Sequence, residues 1–190
     1  MKPGGIFLKQ KENTALLLID VVNHFQFDDG EKLYEQTIPI AQNIANLKKR
    51  ANKHKIPVIY VNDNFKNWQA DFKDLVLECL KEDNVGKEFV ELLKPEKGDY
   101  HILKPSYSGF YATPLHLLLE YLNVKIVIIT GIAGNMCVQF TANDAFMLKY
   151  KLHIPSDCLA SNTIEANRAA LEQMETVLKA DTTPSHLINF

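Results

Sequence analysis

Five short stretches of this chain are dominated by apolar residues with no alternation of apolar and polar positions. They are Thr14–Ile19 (TALLLI), Ile56–Val61 (IPVIYV), Tyr100–Leu103 (YHIL), Lys125–Thr130 (KIVIIT) and Lys151–Pro155 (KLHIP). Each is too short for a stable helix and long enough for a strand. A strand with one wet face alternates, so a run without alternation reads as a strand covered on both faces. That pattern belongs to a parallel sheet sandwiched between helices.

Helical periodicity fills the gaps. Residues 31–54 place Leu33, Ile40, Ile44, Leu47 and Ala51 on one face, with Lys48, Lys49 and Arg50 near the end, where cations suit the helix dipole. Residues 72–80 and 86–93 read as short helices. Thr113-Pro114 opens a helix running through Leu122, with Thr as N-cap and Pro in the first turn. Asn162 and Glu165 have the spacing of a capping box for a helix to about Leu178. A further strand is placed near Thr176–Lys179. Alternation of this kind predicts an α/β fold in three αβα layers, with a mainly parallel, Rossmann-like sheet of about six strands. No repeat or composition shift breaks residues 1–190, which read as a single domain.

Bulk properties narrow the function. With 21 basic and 23 acidic residues the formal net charge is −2, so long-range attraction to nucleic acid or an anionic membrane is not expected. The first residues, MKPGGIFLKQKENT, lack the apolar core of a signal peptide, and no apolar run approaches the ~20 residues that span a bilayer. Cys79, Cys137 and Cys158 form no closely spaced pair and are odd in number, which fits a reducing compartment. The expectation is a cytoplasmic protein acting on a small molecule.

Asp20, Lys104 and Cys137 each lie at or just beyond the carboxyl end of an expected strand. In a parallel sheet those ends share one edge, so residues distant in sequence can meet there. Their chemistry is complementary. A thiol attacks as a thiolate, which a helix N-terminus and an ammonium stabilise, and a carboxylate can take its proton and return it to a leaving amine. Each also has a plain structural role open to it. A buried Cys packs as a small hydrophobe, an Asp caps a turn, and a Lys is solvated.

Five segments carry a resemblance. ALLLIDVVNHF (15–25), IPVIYVNDNF (56–65), ILKPSYSGF (102–110), IVIITGIAGNMCVQFTANDAF (126–146) and IPSDCLAS (154–161) run in the order found in the isochorismatase-like cysteine hydrolases. That superfamily includes nicotinamidases and N-carbamoylsarcosine amidohydrolases. The resemblance implies the isochorismatase-like hydrolase fold and an Asp–Lys–Cys triad at Asp20, Lys104 and Cys137. It implies a cis peptide between Ile132 and Ala133, and an oxyanion hole from the backbone N–H groups of Ala133 and Cys137. The implied reaction is hydrolysis of a small amide or ureido C–N bond through a thioester on Cys137. Enol-ether hydrolysis of an isochorismate-like substrate and a non-catalytic binding role are the alternatives. Relatives of this kind form homodimers or homotetramers.

The chain departs from metal-dependent nicotinamidases, which follow the second strand with an Asp and two closely spaced His. Here Asp63 is present, but no His occurs between His54 and His101. Neither a catalytic metal nor another cofactor is expected. For the substrate pocket, the sequence suggests His24, Phe25, Trp68 and Phe110, with Phe65, Tyr107 and Phe140 as further aromatics nearby.

Overall fold

The computed structural model describes residues 13–69 and 71–190. Most of the N-terminal stretch read above for a leader lies outside them. Six strands are β1 (Thr14–Ile19), β2 (Val58–Asp63), β3 (Tyr100–Lys104), β4 (Ile126–Ile132), β5 (Lys151–His153) and β6 (Leu159–Ala160). Six helices are α1 (Gly30–Lys53), α2 (Phe72–Cys79), α3 (Lys87–Leu93), α4 (Leu115–Tyr121), α5 (Gln139–Met147) and α6 (Ile164–Thr176).

The strands pair in the order β3-β2-β1-β4-β5, and β6 joins β4 further along the same edge. All pairings are parallel. The chain first builds outward from β1 through β2 to β3, then returns to lay β4 on the other side of β1. Strand order therefore reverses between β1 and β4, and the crevice outside their carboxyl ends is the natural ligand site of such a sheet.

The continuous apolar runs are explained by burial on both faces. Leu16 and Leu18 of β1 pack into a core with Leu33, Ile44 and Leu47 of α1 and Phe89 and Val90 of α3. Their neighbours Ala15, Leu17 and Ile19 pack on the opposite side with Leu115 and Leu119 of α4, Ala142 of α5 and Met174 of α6. Every residue of β1 and β4 is buried, so neither strand could alternate.

Three local expectations differ from the structure. Residues 176–179 are not a strand: α6 runs to Thr176, and Met174 and Leu178, four apart on a helical face, both point into the core. The sixth strand is instead the two-residue β6. Thr163, not Asn162, caps α6, its hydroxyl accepting from the Ala166 N–H at 3.1 Å, while Asn162 donates to the Asp29 carbonyl at 3.2 Å. Lys48 does not serve the solvated end of α1. It turns inward, 2.8 Å from the Lys94 carbonyl and 3.0 Å from Asp99, and fastens the approach to β3 onto α1.

Candidate active site

Three elements end together at the reversal point. The Asp20 N–H donates to the Val61 carbonyl at 3.0 Å, so Asp20 is still held against β2 one residue past β1. Its backbone is left-handed, with φ 51°. Lys104 closes β3 and is paired in register with Asp63 at the end of β2. β4 ends at Ile132, followed by one wide helical turn, Gly134–Val138, before α5. In that turn the Ala133 carbonyl accepts from both Met136 (3.0 Å) and Val138 (3.2 Å). The second bond spans five residues, a π-type spacing common at functional sites. Cys137 sits on this turn. The Ile132–Ala133 peptide is cis.

Close strand approach is built into the sequence. Gly131 has φ +117°, and a Cβ there would stand 2.0 Å from the Ile19 carbonyl oxygen. Only glycine lets β4 run this near β1 just before both chains leave the sheet. The Gly134–Val138 turn is braced from behind. The Ser161 hydroxyl accepts from the Asn135 N–H at 3.1 Å and donates to Asn167 of α6 at 3.0 Å, whose amide donates to the Leu159 carbonyl at 3.2 Å.

Lys104 reaches across the end of β2 and gathers the site. Its ammonium lies 2.9 Å from an Asp20 carboxylate oxygen, 3.4 Å from the Cys137 sulfur, 3.0 Å from the Ser106 carbonyl and 3.5 Å from Asp63. Its side chain is fully buried and that of Asp20 nearly so. Asp20 also accepts the Asp63 N–H at 2.6 Å. Sequence reasoning placed these three residues at one sheet edge, and the structure brings them into contact.

Burial and charge set their protonation. Burial raises the Asp20 carboxyl above its usual range, against the opposing pull of Lys104. Burial works against the Lys104 ammonium, but Asp20, Cys137 and Asp63 outweigh it and hold the proton on. Burial and then Asp20 push the Cys137 thiol up, only partly offset by Lys104. Burial thus works against the charged forms of both Asp20 and Cys137, and one fixed ammonium touches both.

A cleft of about 630 Å³ opens over this group. Asp20, Ala133 and Cys137 form its floor, and its walls include His24, Phe27, Phe65, Tyr107, Met136 and Asn162. Of the four residues expected in the pocket, His24 lines it. The other three do not. Phe25 is packed inside against Tyr34 and Phe89. Phe110 stacks on Tyr150 at the second core, with ring centroids 6.0 Å apart. Trp68 is 80% exposed and is not among the residues that line the cleft. A single residue, Gln26, separates Phe25 from Phe27, and the left-handed backbone at Phe25 (φ 55°) turns the first inward. No periodicity in a loop signals such a reversal.

Asp63 has partners of its own. Besides Lys104, its carboxylate accepts the Phe65 N–H at 2.6 Å. Among the described residues, no three His, Cys, Asp or Glu side chains are grouped to hold a metal ion. The loop that follows Asp63 carries no imidazole before α2.

Comparison with known proteins places the chain in a family. The isochorismatase domain model matches residues 14–183. The isochorismatase family protein YaaI of Bacillus subtilis (strain 168) is 47% identical over 178 residues, covering 94% of this chain and 97% of that protein. The ureidoacrylate amidohydrolase RutB of Acinetobacter baylyi is 27% identical over 191 residues, covering 87% and 78%. Among solved structures, the N-carbamoylsarcosine amidase of Thermoplasma acidophilum superposes with a TM-score of 0.68 at 25% identity, covering 91% of this chain and 96% of that one. With the domain model spanning nearly the whole chain and a relative at 47% identity over nearly its full length, the protein belongs to the isochorismatase family of hydrolases.

Proposed function

We propose that this protein is a cysteine amidohydrolase that cleaves the C–N bond of a small amide or ureido compound. The observation that carries the reading is the Lys104 ammonium in contact with both Asp20 and Cys137 at the floor of one cleft. The names of the relatives RutB, a ureidoacrylate amidohydrolase, and the N-carbamoylsarcosine amidase support the same bond class.

The steps follow from the site. Asp20 takes the Cys137 proton as the sulfur adds to the substrate carbonyl carbon, forming the S–C bond. The carbonyl electron pair moves onto oxygen, where the backbone N–H groups of Ala133 and Cys137 are the proposed donors. One such donor contributes about 3 kcal/mol. The C–N bond breaks as Asp20 returns its proton to the departing nitrogen, leaving a thioester. Asp20, again a carboxylate, takes a proton from water, whose oxygen adds to the thioester carbon and expels the Cys137 sulfur, which recovers the proton. Lys104 keeps its own proton throughout and offsets the charge that passes between Asp20 and Cys137.

The test is ammonia release from a panel of ureido acids, their neutral amides and simple carboxamides, run beside pyruvate release from isochorismate. Ammonia from at least one panel member, abolished in Asp20→Ala and Lys104→Ala, supports the proposal. Pyruvate without ammonia would replace it with enol-ether hydrolysis.

Two further expectations belong to this reading. The three cysteines are free, which suits a reducing cytoplasm. No helix among the described residues is long and apolar enough to cross a membrane. Tyr111, Leu117 and Tyr121, on and before α4, are large apolar residues left exposed, and we assign this face to a symmetric contact between copies of the chain.

A further inference from the structure

We propose that the cleft selects substrates bearing a carboxylate at the end remote from the scissile bond, and that Lys66 on its wall is the specificity-determining cation. This deepens the amidohydrolase reading and rests on it for the reaction itself.

The charges lining the cleft are unevenly placed. Asp20 and Asp63 are its acidic groups, and both already contact the Lys104 ammonium. Two carboxyl groups share the single ammonium at the floor, which leaves no uncommitted cation there for an anionic group of the substrate, so the floor receives the neutral amide or ureido carbonyl. Lys66 is the sole Lys or Arg among the described residues lining the cleft, and it enters none of the ion pairs formed by the described residues. Its side chain is exposed, so its ammonium meets a ligand without first breaking a contact.

The loop that carries Lys66 is indexed to the triad. Asp63 donates its N–H to Asp20 at 2.6 Å, and Asn64 donates its N–H to the Lys104 carbonyl at 3.1 Å. The side chains of the same two residues then accept the N–H groups of Phe65 (2.6 Å) and Lys66 (2.9 Å). Three residues span at most about 11 Å of chain, so Lys66 is held within one small ligand's length of Asp63. Two consecutive left-handed residues, Phe65 (φ 49°) and Lys66 (φ 61°), complete the turn.

A neutral donor accompanies the cation. The His24 ring packs on Phe65 with centroids 4.3 Å apart, and its Nδ1 accepts the Gln26 N–H at 2.9 Å. In the neutral ring this assigns the remaining proton to Nε2, a donor on the same wall. Glu78 is the acidic group felt by His24, and it is held by Lys81 in the adjoining depression. A substrate with a C–N carbonyl at one end and a carboxylate at the other matches this arrangement from floor to wall.

The inference is tested on Cys137 without knowing the substrate. Iodoacetate and iodoacetamide are matched alkylating probes that differ in charge, and the ratio of their rates at Cys137 cancels any general change in thiol reactivity. At low ionic strength, the iodoacetate-to-iodoacetamide ratio should fall roughly three- to tenfold in Lys66→Gln and further in Lys66→Glu, as expected for loss and reversal of one nearby charge. An unmoved ratio overturns the inference. Calorimetric titration of Cys137→Ala with 3-ureidopropionate and with its neutral amide reads the same preference at equilibrium. The acid should bind more tightly than the amide, and Lys66→Gln should remove the difference. Acid that binds no better than amide, or a preference that survives Lys66→Gln, overturns it. Ammonia release from neutral amides with no effect of Lys66 would sink this inference and leave the amidohydrolase reading standing. A Lys66-dependent anion preference with no ammonia released from any panel member would do the reverse.

Discussion

At the scale of single residues, the Lys104 ammonium lies between a carboxylate 2.9 Å away and a sulfur 3.4 Å away, with no exposed surface of its own. Its neighbours therefore respond to its loss in opposite ways from their response to the loss of Asp20. In Asp20→Asn the thiol loses the charge that raises it and keeps the charge that lowers it. Cys137 should then alkylate faster than wild type near pH 7 while turnover falls by orders of magnitude for want of a base. In Lys104→Met the thiol should alkylate more slowly, and the protein should unfold with a loss of about 3–5 kcal/mol, since two carboxylates lose a buried partner. Parallel alkylation rates and denaturant unfolding check both. The same geometry gives the sign of the pH dependence. Asp20 acts as its carboxylate, and burial raises its carboxyl. Activity should therefore fall on the acid side through a pKa above the ordinary Asp value of about 3.9, as read from kcat/KM against pH. For stability the sign reverses. A raised Asp pKa means the fold holds that proton better than the unfolded chain, so acidification into that range does not weaken the fold through Asp20.

At the scale of elements, β1 and β4 were legible because burial on both faces forces a short apolar run without alternation, bounded by turn residues. That Asp20, Lys104 and Cys137 could meet followed from that, since each sits within a few residues of a strand end. The pocket wall was legible only in part. His24, Phe65 and Tyr107 were named near the pocket and line it, but Phe27, Lys66 and Asn162 lie on loops whose direction is set by left-handed residues and side-chain-to-backbone bonds, as at Phe25 and Lys66. Trp68 was suggested by its size and its place after β2, yet the turn at Phe65 and Lys66 carries it into solvent. The two-residue β6 is below the length at which any pattern registers. Gly131 tests how the elements meet. In Gly131→Ala the added Cβ falls 2.0 Å from backbone, not from a side chain that could swing away. The strand ends must separate, so thermal stability should drop and Cys137 should lose its contact with Lys104. A Gly131→Ala protein of unchanged Tm and turnover would show that this approach is not required.

At the scale of the whole molecule, a parallel sheet whose strand order reverses between β1 and β4 gives a crevice, and Asp20, Lys104 and Cys137 gather there. The two cores on either side hold the strand ends in register, and the helices contribute little directly to the floor. The exposed Tyr111, Leu117 and Tyr121 lie apart from that crevice. Light scattering coupled to size-exclusion chromatography should report an assembly larger than one 21.6 kDa chain, and Tyr121→Glu should shift it toward the monomer. A wild-type monomer at micromolar concentration would remove that interface. The central claim is that Cys137 is the nucleophile, and its most direct test is ammonia release by wild type and Cys137→Ala side by side on the ureido and amide panel. The account predicts release by the wild type and a loss of about a thousandfold or more in the variant, whereas release by Cys137→Ala within tenfold of wild type would contradict it.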